Sequence, residues 1–323
     1  MNWKNNILLF ITLLVLGSCK QDTSPNVEKD KEAPLLISEA PSLSSVIQVT
    51  DLDSLIRLEN AKLIQFDTPE MYAQGHIKGA LNIWRTDIED PSYPYRGMMC
   101  SKSQLEALFS DLGIHNDDVL VLYDRDANCN AARLWWILKN YGFHNVSILD
   151  GGIQAWETNN RKLTQETTEV TPSVFKLPDD APMNYYISKE NVLEALQNAQ
   201  TPIILDTRTA NEYTGLRRKK GAKEAGRIPE SIPADWAHSV NYEGDKKFKS
   251  LEELEAIYTS ILPDKEQPII VYCHSGVRSA HTNFVLSNLM GYKNIKNYDG
   301  SWVEWSHFEN YPKVSDSVTT IFK

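Results

Sequence analysis

Residues 119–156 read VLVLYDRDANCNAARLWWILKNYGFHNVSILDGGIQAW, and residues 268–305 read PIIVYCHSGVRSAHTNFVLSNLMGYKNIKNYDGSWVEW. The two stretches align without a gap at a spacing of 149 positions. The match extends upstream, where Leu105-Glu106-Ala107-Leu108-Phe109 falls on Leu254-Glu255-Ala256-Ile257-Tyr258. A period this long marks a duplicated domain rather than a solenoid. Each copy alternates short apolar strands with amphipathic helices. In the second, Ile203-Ile204-Leu205, Pro268 to Tyr272 and the run from Asn294 read as strands, and Leu251 to Ile261 and Ser279 to Met290 as helices. That alternation predicts an α/β fold, each copy a mainly parallel sheet flanked by helices. Ligands of such sheets bind beyond the carboxyl ends of the strands, so the segment after Tyr272 is where chemistry is expected.

Working outward, residues 43–160 and 183–312 form the two copies, joined by a polar, Thr-rich linker at 161–182 and followed by a tail at 313–323. Asp67 pairs with Asp206 at an offset of 139, whereas Gly75 pairs with Gly226 at 151. The second copy therefore carries twelve extra residues that include Arg217-Arg218-Lys219-Lys220. This charge run reads first as a solvated loop, with a steering patch for an anionic substrate as the alternative. At the N-terminus, Lys4 precedes the apolar run Ile7 to Leu16, too short to span a bilayer but the length of a signal segment. It ends in Leu16-Gly17-Ser18-Cys19, which resembles a lipobox. The expectation is a signal peptide at 1–18, a lipid anchor on Cys19, a tether at 19–42 and a place at the bacterial cell envelope, with plain secretion as the alternative. The formal net charge of −10 argues against nucleic acid as a partner. Three cysteines beyond Cys19 are too few for a disulfide scaffold.

The segment Cys273-His274-Ser275-Gly276-Val277-Arg278 joins a buried strand to a helix, with Ser279 as the expected N-cap. A loop in this setting can turn successive backbone N–H groups inward as an anion-binding nest. With Arg278, those donors would favour the thiolate of Cys273, the form that attacks. Cysteine also packs well in cores. The first copy, however, places Asp124 opposite Cys273, and one apolar slot would not readily take both a carboxylate and a thiol.

The strand, C-x4-R loop and helix resemble the active-site loop of rhodaneses. Gly75-His76-Ile77-Lys78-Gly79-Ala80 is similar to that family's GHIxGA motif, with Leu205-Asp206-Thr207-Arg208 and Gly226-Arg227-Ile228-Pro229-Glu230-Ser231 its counterparts in copy two. Tyr298-Asp299-Gly300-Ser301-Trp302-Val303-Glu304-Trp305 is similar to the closing motif. Arg227 stands for the usual His, Glu230-Ser231 for Gly-Ala, and Pro69 where copy two has Arg208. The resemblance spans roughly residues 43 to 312 and implies an inactive first domain and a catalytic second one. It further implies that Cys273 takes sulfur as a persulfide from a small anionic donor, bound by His274, Ser275, Gly276, Val277 and Arg278, and passes it to cyanide or a thiol. No metal and no organic cofactor are expected.

Arg278 suits thiosulfate, while Ser275-Gly276-Val277 also resembles 3-mercaptopyruvate enzymes. A persulfide carrier without turnover is a third reading. A cysteine phosphatase or arsenate reductase is the least favoured, since those use the longer C-x5-R loop. Of the remaining residues, Cys129 reads as a bystander in the first copy's loop, Cys100 as packed, and His76 and Arg208 as structural braces. His281 reads as a helix-face residue, and Trp135, Trp136, Trp302 and Trp305 as core or interface aromatics.

Overall fold

A computed structural model describes residues 44–197 and 202–315. The signal segment, Cys19 and the tether lie outside the described residues, as does the end of the C-terminal tail. The first copy holds strands β1 (Val46–Ile47), β2 (Ala61–Phe66), β3 (Leu81–Ile83), β4 (Val119–Tyr123) and β5 (Val146–Leu149). Its helices are α1 (Val49–Leu55), α2 (Pro69–Gln74), α3 (Lys102–Asp111), α4 (Cys129–Asn140) and α5 (Gly152–Thr158). The second copy repeats the series with β6 (Tyr186–Ile187), β7 (Ile203–Asp206), β8 (Ile232–Pro233), β9 (Ile269–Tyr272) and β10 (Ile295–Tyr298). Its helices are α6 (Lys189–Gln197), α7 (Ala210–Thr214), α8 (Leu251–Tyr258), α9 (Val277–Phe284) and α10 (Ser301–Trp305).

Each copy forms one parallel five-stranded sheet. The strand orders, β1-β5-β4-β2-β3 and β6-β10-β9-β7-β8, are the same order written twice. The central strands β4 and β9 are wholly apolar apart from a terminal tyrosine, as burial on both faces requires. Local signals repeat as well. Ser101 with Gln104 and Ser250 with Glu253 form capping boxes at the starts of α3 and α8. At the end of β9, Tyr272 Oη donates to Asp206 at 2.6 Å and accepts from Ile228 N, as Tyr123 Oη accepts from Ile77 N in the first copy.

Three expectations change in detail. Helix α9 starts at Val277 rather than after Ser279, because Gly276 takes φ 75° and turns the chain into the helix three residues early. That helix stops at Phe284 and continues as one π turn, Val285–Leu289. The segment after Arg161 does not hang free: Thr164 pairs with His76, and Phe175 is buried against Phe109 and Phe143.

The two copies pack through equivalent elements. Ala280 and Phe284 of α9 join the apolar cluster that holds Trp135 and Trp136 of α4, with Trp135 edge-on to Phe284 at 4.9 Å. Met99 N donates to Asp299 Oδ2, and its repeat partner Phe248 N donates to Asp150 Oδ1, so the contact is exchanged reciprocally. Arg133, only 2% exposed, pairs with Asp299 at 2.6 Å across the same interface.

Candidate active site

Cys273 follows the last residue of β9, the middle strand of its sheet, and is 1% exposed. The loop that follows is held from outside. Trp302 N and Val303 N of α10 donate to the carbonyls of Cys273 and His274. Asn297 Nδ2 and Arg133 Nη1 reach the Gly276 carbonyl. The Ser301 hydroxyl accepts from Cys273 N and Gly276 N, both at 3.1 Å, while donating to Tyr298 O. With its carbonyls turned outward, the loop presents the amides of Ser275 and Ser279 to the Cys273 sulfur.

These contacts set the thiol's acidity. Burial is the largest influence and would push its pKa up. The Arg278 charge, the Ser279 hydroxyl and the two amides outweigh it and hold the thiol below its ordinary value. The buried Ser279 hydroxyl has no nitrogen or oxygen partner among the described residues, which leaves it to the sulfur. It sits inside α9 rather than at the N-cap position expected from sequence. Arg278 is fixed by a fork onto Glu212, with Nη1 and Nη2 at 2.8 and 2.9 Å from the two carboxylate oxygens. Burial works to raise the Glu212 pKa, yet the Arg278 pairing brings it down to about 2.

The first copy shows what this loop shape is for. Asp124 stands at the Cys273 position, and its carboxylate accepts from the amides of Asp126, Asn128, Asn130 and Ala131 at 2.7–2.9 Å. Burial pushes its pKa up to about 6 against the pull of those amides, so it is ionised at neutral pH. The nest there is filled by the chain's own anion.

A cavity of about 110 Å³ opens over Cys273 between the two copies. Of the residues expected to bind the donor, His274, Ser275, Val277 and Arg278 line it, whereas Gly276 does not and instead shapes the turn. Trp236 and Lys219 complete the second copy's wall, and Arg85, Asp126 and Cys129 come from the first copy. Lys219, from the inserted segment, is thus a wall residue rather than only a solvated one. A larger groove of about 750 Å³ lies at the opposite, amino ends of β9 and β10, and holds no cysteine or histidine.

Cys129 is likewise no bystander in position, since it shares the cavity with Cys273. Burial pushes its thiol well up, which keeps it protonated at neutral pH. Cys100 is buried, its thiol raised to about 12 by desolvation. The three described cysteines are all free. His274 is held by Lys220 O at 3.0 Å, and burial lowers its pKa to about 4, so it faces the cavity uncharged. His281 is a core residue against Trp236 and Phe248, its pKa brought to about 3 by burial. His76 bridges Tyr72 O and Glu166 O, and Arg208 chelates Asp206 and reaches Gly226 O.

Sequence reasoning missed Ser301 as a support and Arg85 and Asp126 as wall residues. Ser301 had a signal: it replaces Gly152, its repeat partner, and both take a positive φ. Arg85 had none, because its place at the cavity depends on how the copies pack.

The rhodanese-like domain family matches residues 48–159 and 189–308. A protein of Mycolicibacterium smegmatis named "Putative thiosulfate sulfurtransferase" is 35% identical over 280 residues, covering 83% of this chain and 97% of its own length. The sulfur carrier protein TtuD of Thermus thermophilus is 36% identical over 268 residues, covering 79% and 92%. Among solved structures, the anaerobic ergothioneine biosynthesis enzyme of Chlorobium limicola superposes with a TM-score of 0.75 at 21% identity, over 85% of this chain and 71% of that one; this is a likeness of fold. YnjE superposes with a TM-score of 0.71 at 25% identity, over 86% and 70%. A domain family matched twice along the chain, and relatives above 30% identity aligned over nearly their whole length, make this protein a member of the rhodanese family, built from two tandem copies and acting in sulfur transfer.

Proposed function

We propose that the protein is a thiosulfate sulfurtransferase that carries sulfur on Cys273. The observation that carries this reading is the comparison of the two loops. One shape cradles a carboxylate with four amides at Asp124, and in the other copy it surrounds a thiol whose acidity is raised, beside Arg278 and at the base of an open cavity. In the first half-reaction the Cys273 thiolate attacks the outer sulfur of thiosulfate. The donor's S–S bond breaks, sulfite leaves with the bonding pair, and a persulfide remains on Cys273. The Ser275 and Ser279 amides, the Ser279 hydroxyl and Arg278 stabilise the anionic outer sulfur as they do the thiolate. In the second half, cyanide or a thiolate attacks that outer sulfur and the Cys273 thiolate is expelled, restoring the starting enzyme.

The narrow cavity and the near-complete burial of Cys273 favour small donors and acceptors. A second reading keeps the persulfide but hands it to a protein acceptor, and is supported by the name of the Thermus thermophilus relative, a sulfur carrier protein. Thiocyanate formation from thiosulfate and cyanide separates the two. Multiple turnovers in the wild type, abolished in Cys273→Ser, are the expected result. A single stoichiometric burst of persulfide without turnover would replace the enzyme with the carrier. No persulfide at all would overturn both.

A further inference from the structure

Of the three cysteines among the described residues, two line one cavity from opposite copies. Cys273 belongs to the second copy, and Cys129 to the first, where it opens α4. Cys129 is 1% exposed and packs with Ala127, Trp236, Val240 and Val277 in one buried cluster. Val277 ends the loop that Cys273 begins, so α4 meets that loop at its own first residue. One turn further along α4, Arg133 reaches the Gly276 carbonyl of the same loop. Cys100 does not line this cavity. Sulfur transfer on Cys273 makes no use of the Cys129 thiol.

The two thiols differ in character. Cys273 is held below its ordinary pKa, toward the reactive thiolate. Burial, followed by the Asp126 and Asp124 carboxylates, pushes Cys129 well up, so it stays a thiol. The Cys273 charge acts on Cys129 in the same direction, so the two groups feel each other across the cavity. A thiolate that small molecules can reach is open to peroxide as well. Once oxidised to the sulfenic acid, it either meets a thiol or goes on to sulfinic and sulfonic acids that thiols do not reverse. A cavity of about 110 Å³ leaves little room for an outside thiol, and Cys129 is already in it.

We propose that Cys129 is a resolving thiol, and that peroxide joins the two cavity cysteines in a Cys129–Cys273 disulfide between the copies. In the first step the Cys273 thiolate attacks one peroxide oxygen. The S–O bond forms, the O–O bond breaks and hydroxide leaves, so the sulfur is oxidised and the peroxide reduced. In the second step the Cys129 sulfur attacks the Cys273 sulfur. The S–S bond forms, the S–O bond breaks, and the hydroxyl leaves with the Cys129 proton as water. The disulfide keeps the nucleophile in a form that a dithiol restores. This goes beyond the sulfurtransferase reading, and needs from it only the acidic thiol of Cys273.

The test treats the reduced, sulfur-free chain with about one equivalent of hydrogen peroxide, beside Cys129→Ala and Cys100→Ala. The wild type and Cys100→Ala are expected to lose two hydrogens by intact mass, and a non-reducing peptide map to join Cys129 to Cys273. Dithiothreitol then returns Cys273 to alkylation by iodoacetamide. Cys129→Ala is expected to gain two or three oxygens on Cys273 instead, and to recover about tenfold less alkylation after dithiothreitol. Over-oxidation of wild-type Cys273 with Cys129 still free, or a bond to Cys100 or to a second molecule, overturns the proposal. So does a Cys273 that peroxide leaves untouched. The wild-type map decides the matter by itself if Cys129→Ala fails to fold. A chain that turns over thiosulfate without forming the bond sinks this inference alone, and one that forms the bond without taking up sulfur sinks only the sulfurtransferase.

Discussion

Positions 124 and 273 hold a carboxylate and a thiol in loops of one shape, and their neighbours explain why only one of them is free to react. In the first copy Arg125 reaches back to Asp67 at 2.9 Å and to Gly75 O, bracing the strand-end aspartate. In the second copy Arg208 performs that task on Asp206 and Gly226 O. The repeat partner of Arg125, which is His274, is thereby released to face the cavity. Arg278, at the position of Cys129, then supplies the charge that the first loop lacks. The acid limb of Cys273 loading follows from this. The rate is expected to fall as pH drops through the thiol pKa, at a point below the ordinary cysteine value of 9.0. Arg278→Lys keeps a charge but loses the fork onto Glu212. It is expected to move that limb to higher pH, read as stopped-flow loading rates between about pH 5 and about pH 10. An unmoved limb would show that a cation at this position suffices without the fork onto Glu212.

At the scale of elements, the loop owes its shape to where α9 begins. Gly276 at φ 75° starts the helix early and puts Ser279 in its first turn, against the sulfur. The other departures from the family pattern are absorbed locally. Arg227 lies over the Tyr213 ring at 4.5 Å, as its partner His76 stacks on Tyr72 at 3.8 Å. Ser231 bonds the Tyr272 hydroxyl at 3.1 Å. Glu230 is the exception. It takes φ 61°, where its partner Gly79 takes φ 82°, and pays for a left-handed backbone that a glycine accepts freely. Glu230→Gly is expected to stabilise the protein by about 1 kcal/mol, measured as a higher urea midpoint at unchanged slope. A lower midpoint would mean that the exposed Glu230 side chain has a stabilising role of its own.

Across the whole molecule, the site depends on the packing of two copies of which one has no nucleophile. Arg133 of α4 is the joint. It pairs with buried Asp299, reaches the Gly276 carbonyl at 3.4 Å and donates to Gly97 O at 2.9 Å. Gly97 itself lies against Ser275, where a side chain would collide. Arg133→Leu leaves Asp299 charged and buried, and is expected to cost about 3 kcal/mol or more in denaturant unfolding. Activity is expected to fall with it, because the loop loses a support. Stability lost with full activity retained would mean that the interface holds the copies together without shaping the loop.

Much of this was legible in one dimension. The 149-residue repeat and the apolar strands determined the fold class and the duplication, and the Cys273 to Arg278 loop pointed to the proposed site, because each rests on local period and on residues close in the chain. The order of the strands within each sheet came from the tertiary structure, which repeats it in both copies. What only the tertiary structure decided is everything carried across the interface. Arg85 and Cys129 at the cavity and Arg133 behind the loop all depend on contacts between residues distant in sequence. No period records such contacts, since the packing of two preformed surfaces sets them rather than the chain that built each one.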